Sequence, residues 1–152
     1  MILKSPQNSG IEAGAHTLSL PEGLVGLPQL KQMEIVFTGD YLPFMWLRSS
    51  DDSNYSFLVV EPYGLINDYK IELSDADVEF LNIRNADDVL ILNIATVHPD
   101  RPVQVTVNLV GPVIINRSTG VGKQVVIENY SEYCTHYLLM EEQVQQAVAC
   151  AH

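Results

Sequence analysis

The sequence predicts a mainly β protein: a small antiparallel barrel-like or strongly bent sheet with one short helical insert and a C-terminal helix. Three observations predict it. Between Val103 and Leu109, Val103, Val105, Val107 and Leu109 alternate with Gln104, Thr106 and Asn108, the period of a strand with one buried face. Runs rich in β-branched and aromatic residues recur along the chain, separated by connections mostly too short for parallel crossovers. Helical signals are confined to one capped segment after Ser74 and to the carboxyl terminus. A one-residue slip of the Val103 strand would expose four aliphatic side chains at roughly 1.5–3 kcal/mol each. The total, roughly 6–12 kcal/mol, rivals the ~5–15 kcal/mol stability of an ordinary domain, so the register is firmly specified.

Taken in order, residues 1–14 hold one Lys, a Pro at position 6 and no sustained apolar run. They read as a flexible tail and not as a secretory signal. Ala15 to Leu20 is the first strand, and Pro21-Glu22-Gly23 and Gly26-Leu27-Pro28 mark tight turns after it. Strands follow at Met33 to Thr38, Phe44 to Arg48 and Tyr55 to Glu61, with turns at Asp40 and from Ser49 to Asn54, and a further strand is expected at Asp68 to Leu73. Ser74 caps a helix from Asp75 to Leu81: Asp75 and Asp77 complement the positive end of its dipole, and Leu73 staples onto Val78. Val89 to Val97 is a long apolar strand closed by His98-Pro99-Asp100. After the Val103 strand, Gly111-Pro112 makes a barrel corner, and Lys123 to Ile127 pairs back on Val113 to Asn116 through a loop containing Gly120. Met140, Val144, Ala147 and Val148 recur at helical spacing among Glu and Gln. The expected organisation is a tail (1–14), a β domain (15–130) and a helical extension (131–152).

At 152 residues the chain fits one domain. Eight Lys plus Arg against 19 Asp plus Glu give a net charge of −11. Its cations are scattered singly, which argues against direct nucleic-acid binding, whereas the acidic surface favours basic partners. Cys134 and Cys150 lie too near the end to staple the body of the domain, which fits a reduced cytoplasmic protein. No stretch approaches the ~18 apolar residues of a membrane span.

Motifs of chemistry are weak. Gly120-Val121-Gly122-Lys123 resembles the end of a phosphate-binding loop, but Arg117 stands where the first Gly belongs and Gln124 where Ser or Thr belongs. A hairpin using glycines for positive φ explains it better. Asp75-Ala76-Asp77 resembles the opening of a calcium loop, yet Phe80 occupies the required Gly position. Cys134 and His136 would share one side of a strand, two metal ligands at most. There is no Gly-x-Ser-x-Gly, and Asp51-Asp52 and Asp87-Asp88 read as solvated turns. No enzyme, metal or cofactor is expected.

An ordered set of segments does resemble a family. Leu20-Pro21-Glu22-Gly23-Leu24-Val25-Gly26-Leu27, Pro43-Phe44-Met45-Trp46-Leu47, Asp51-Asp52 and Phe57-Leu58-Val59-Val60-Glu61-Pro62 come first. Asp68-Tyr69, Leu73-Ser74-Asp75-Ala76-Asp77, Asp87-Asp88-Val89-Leu90, Val105-Thr106-Val107-Asn108-Leu109, Pro112-Val113-Ile114-Ile115-Asn116 and Gly122-Lys123-Gln124-Val125-Val126 follow. Together they resemble the flagellar assembly factor FliW family over about Leu18 to Tyr130. The family tends to carry Pro at Val25, an aromatic at Leu27 and Ala at Gly111, and the tail from Ser131 lies outside the resemblance. The resemblance implies a cytoplasmic binding protein: one that binds flagellin and, when flagellin is scarce, binds the RNA-binding translational repressor CsrA and relieves its repression of flagellin synthesis. Asp51, Asp52, Glu61, Tyr63 and Asp68 are the expected surface facing a basic partner. Asn108 and Pro112 are expected either to mark an exposed strand edge for an apolar helix or peptide or to form a core corner. The alternatives are a small-ligand-binding barrel and a protein that self-assembles through the Met140 to Val148 helix.

Overall fold

The computed structural model describes residues 1–4, 14–37, 43–51 and 54–142. In chain order its elements are β1 (Ile2–Lys4), β2 (Gly14–Ser19), β3 (Gln32–Phe37), β4 (Phe44–Ser49), β5 (Ser56–Val60), β6 (Lys70–Glu72), α1 (Asp75–Phe80), β7 (Val89–His98), β8 (Gln104–Val107), β9 (Val113–Asn116), β10 (Gly122–Gln124) and β11 (Tyr137–Glu141). Short 3-10 turns lie at Ala86–Asp88 and Tyr130–Glu132.

The long β7 organises the sheet. Val89–Leu92 pairs with β9, Asn93–Ala95 with β5 and Ala95–His98 with β8, all antiparallel. From β5 the sheet continues through β4 and β3 to β2, from β9 to β10, and from β8 to β11. β7 is covered on both sides. Val89, Ile91 and Ala95 join a core with Leu3, Tyr69, Ile71, Leu73 and Leu81, whereas Leu90, Leu92 and Ile94 pack with Leu18, Met33, Ile35, Met45 and Leu47. A strand buried on both faces reads as a continuous apolar run, as Val89-Leu90-Ile91-Leu92 does.

The sheet is strongly bent but does not close into a barrel. Its outer strands meet at one parallel bridge, Ser19 with Val121, where Ser19 N–H donates to Gly120 O at 2.8 Å. Beyond it the chain turns away: Leu20 N–H donates to Lys31 O at 2.7 Å, and Pro21 has no N–H to lengthen a ladder.

Other departures have local causes. Ile2–Lys4, expected within a flexible tail, forms β1 on β6; Leu3 is 1% exposed, and the Met1 amino group donates to Leu73 O at 3.0 Å. Three residues are too few for a period to register; 5–13 lie outside the described residues. The strand expected from Val103 to Leu109 is Gln104–Val107, and Thr106 is buried along with its apolar neighbours because β8 is flanked by both β7 and β11. Where the C-terminal helix was expected to begin, Met140 and Glu141 belong to β11, because pairing with the open side of β8 overrides local propensity. Residues 143–148 of that expected helix lie outside the described residues. α1 follows expectation: Ser74 Oγ accepts from Asp77 N–H at 3.1 Å, and Leu73 and Val78 enter the same core.

Candidate protein-binding surface

The two look-alike motifs meet in space. Lys123 Nζ lies 2.6 Å from Asp77 Oδ1 and 3.5 Å from Glu22 Oε2, and 5.2 Å from the centre of the Phe80 ring. The Asp77 hydrogen bond raises the Lys123 pKa, a shift that partial desolvation opposes. The lysine thus ties β10 to α1 and is not held for phosphate. Gly120 does sit at φ +73, as a hairpin glycine should, but Gly122 has another cause: a Cβ there would lie 2.9 Å from Ile115 Cγ1 and 3.0 Å from Leu20 Cδ2. Cys134 is exposed, His136 Nδ1 lies 2.8 Å from Thr135 Oγ1, and no group of three metal-ligating side chains occurs among the described residues.

The expected partner-facing residues divide into separate places. Asp51 is exposed in the turn after β4, its N–H donating to Ser49 Oγ at 3.3 Å; Asp52 lies outside the described residues. Tyr63 and Asp68 are exposed at the opposite end of β5, roughly 17 Å away at ~3.3 Å per strand residue. Asp68 adopts φ +57, and its carbonyl accepts from Tyr133 O–H at 3.3 Å. Glu61 is buried, 8% exposed, because the chain turns inward at Pro62 so that Leu65 and Ile66 donate to the Pro62 carbonyl. It is no part of a surface.

Asn108 and Pro112 form a core corner and not an open edge. Pro112 is buried, and Asn108 Oδ1 accepts from the N–H groups of Val110 and Gly111 at 3.0 and 2.9 Å. The corner is braced from within: Asn93 Nδ2 donates to Asn108 O and to Tyr69 Oη, and Tyr69 O–H donates to Leu109 O. Burial pushes the Tyr69 pKa upward, keeping the phenol protonated as a donor.

The sequence reading missed an apolar face. Directly opposed residues of an antiparallel ladder share a face, and the registers align Val36, Trp46, Leu58, Ala95, Val107 and Tyr137 across β3, β4, β5, β7, β8 and β11. The core covers the middle of this row, but Trp46 is 41% and Tyr137 37% exposed. In the adjoining row Val97 is paired with Val105 and Val105 with Met140, and Val97 and Met140 are 49% and 45% exposed. Glu34 and Arg48 pair beside Trp46 at 2.5 Å. An indole on an outward strand position, flanked by an ion pair, is the composition of a protein contact. The signal was present in Met45-Trp46-Leu47, whose alternation sends Met45 and Leu47 inward and Trp46 out.

Two depressions bear on the small-ligand alternative. One of about 210 Å³ lies at the incomplete seam, lined by Leu18, Ile35, Leu90 and Ile115 with His16 and Arg117, below the ~300–1,000 Å³ of ordinary ligand sites. Another of about 300 Å³ runs along β11 between Val103, Val105 and Met140.

Comparison with known proteins places this arrangement. The family model described as FliW protein matches residues 8–139, running further into the C-terminal segment than the resemblance at Tyr130. The chain is 34% identical over 143 residues to a flagellar assembly factor FliW of Clostridium botulinum, covering 93% of this chain and all of that protein. It is 36% identical over 121 residues to one of Thermotoga neapolitana, with 80% of each chain covered. A crystal structure of the flagellar assembly factor FliW superposes with a TM-score of 0.75 at 30% identity, covering 84% of this chain and 87% of that one. With the fold, the bent sheet and the sequence in agreement over most of its length, the chain belongs to the FliW family of flagellar assembly factors.

Proposed function

We propose that this chain is a cytoplasmic regulatory binding protein that engages flagellin and, when flagellin is scarce, a CsrA-type RNA-binding repressor, so that flagellin level controls flagellin translation. The observation that carries the reading is family membership over most of the chain, joined to an exposed Trp46 face on a body of net charge −11. The two features suit different partners. An apolar row with an exposed indole suits an apolar helix of flagellin, whereas the acidic residues Asp51, Asp52 and Asp68, with Tyr63 on the same side as Asp68, suit a basic repressor and speed its encounter. Separate surfaces need only a coupling of ~1–3 kcal/mol to make the partners compete.

Purified chain, flagellin and repressor test this directly. Each pair is expected to co-elute at micromolar concentration, and Trp46→Ala is expected to weaken flagellin binding at least ~10-fold, the cost of an interface anchor. Asp51→Lys with Asp68→Lys is expected to weaken the repressor complex selectively. Failure of both pairs to co-elute overturns the function; co-elution unaffected by these variants overturns the surfaces.

A further inference from the structure

We propose that the outer edge of β11 is a strand-addition site for an extended basic segment of a protein partner, with a Lys or Arg side chain laid across Val103, Val105 and Met140 toward Glu141. Asn108 N–H donates to Ile94 O on β7, so Val103, Val105, Val107 and Leu109 turn their hydrogen-bonding groups toward β11. Glu142 N–H donates to Val103 O, and Tyr137 and Met140 stand opposite Val107 and Val105. The alternation therefore leaves the N–H and C=O groups of Leu138 and Glu141 facing away from the sheet, and among the described residues β11 pairs with β8 alone.

An apolar edge strand of this kind is a template for another strand. Tyr137, Leu138 and Met140 are all exposed on it, and a bulge between Leu138 and Met140 turns Leu139 toward the core. The depression of about 300 Å³ beside it is lined by Val103, Val105, Met140, Glu141 and Glu142. Aliphatic residues with two acidic ones beside them fit a side chain that buries a methylene stem and keeps a cationic head in water. Glu142 already holds one such head, that of Arg101, whereas Glu141 makes no ion pair among the described residues. Charge complementarity with a chain of net charge −11 favours the basic segment over a second copy of the same acidic protein.

This rests on the reading of the chain as a protein-binding module, and the test uses no flagellar protein, so its failure and the failure of that reading are distinguishable. The probe is the peptide acetyl-Val-Lys-Val-Lys-Val-Lys-Val-amide added to the full chain, with residue-resolved amide exchange and affinity as readouts. The control replaces each Val by Pro and N-methylates the backbone of each Lys, which keeps the charge and removes the backbone donors. Exchange at Leu138 and Glu141 is expected to slow at least ~10-fold with the Val peptide alone, and Glu141→Lys and Met140→Lys, both at exposed positions, are each expected to weaken binding ~10-fold. Equal binding of the Pro peptide, absence of protection at Leu138 and Glu141, or undiminished binding by both variants overturns the site. Protection accompanied by a doubled mass without peptide assigns the edge to self-association and also overturns it.

Discussion

Lys123 and Gly122 adjoin, and each does structural work that its motif disguised. Lys123 joins β10 to α1 through Asp77, and removing it as Lys123→Met is expected to cost about 1 kcal/mol, the scale of a partly exposed ion pair. Because the folded state raises this lysine's pKa above its ordinary 10.5, its stabilisation is fully present below that pH and fades as pH climbs through the folded value. Denaturant titrations should therefore show a stability difference between wild type and Lys123→Met that is constant from neutral pH to about 10 and shrinks above it. Gly122 is demanded by space and not by φ. Gly122→Ala pushes a methyl group against Ile115 and Leu20 and should lower the thermal midpoint by an amount equivalent to ~1–3 kcal/mol.

At the scale of elements, β11 changes what the carboxyl terminus is for. Deleting 131–152 does not trim an appendage: it removes the strand on β8 and also Tyr133, whose ring stacks edge-on against Tyr69 at 5.0 Å and whose hydroxyl accepts from Lys70 N–H. Loss of stability with a rise in light scattering is the expected result, because Val105 and Val107 lose their outer neighbours; an unchanged melting curve would show that β11 contributes nothing to the fold. The elements readable from sequence were those with a strong local signal. The cap of Ser74, the turns of Pro21 to Pro28 and the apolar run of β7 each state their conformation locally. β1 and β11 were not readable as strands, because their conformation is imposed by open edges of β6 and β8 far away in sequence. The candidate surface divided in the same way: Trp46 was visible as an outward position, but only the ladder registers reveal that it lies in one row with Tyr137. Burial of Glu61 follows from the turn at Pro62, which carries no polar signature of its own.

For the whole molecule, charge sets the kinetics of encounter more than the strength of contact. With 19 acidic residues against 8 basic, association with a basic partner is expected to slow at least ~10-fold between 50 and 500 mM salt, while dissociation changes far less. Stopped-flow rates over that range check this, and a salt-independent on-rate would remove electrostatic steering from the account. Trp46 contacts, being apolar, should hold their affinity over the same range, so salt separates the two classes of partner.

Strand β7 belongs to both hydrophobic clusters: Ile91 enters the first and Leu92 the second, one residue apart. Neither cluster has a boundary at which it could melt alone, since withdrawing β7 from one withdraws it from the other. The molecule should therefore give a single calorimetric peak whose van't Hoff and measured enthalpies agree, and Ile91→Ala and Leu92→Ala, though they open voids on opposite sides of the sheet, should shift that same peak together instead of splitting it.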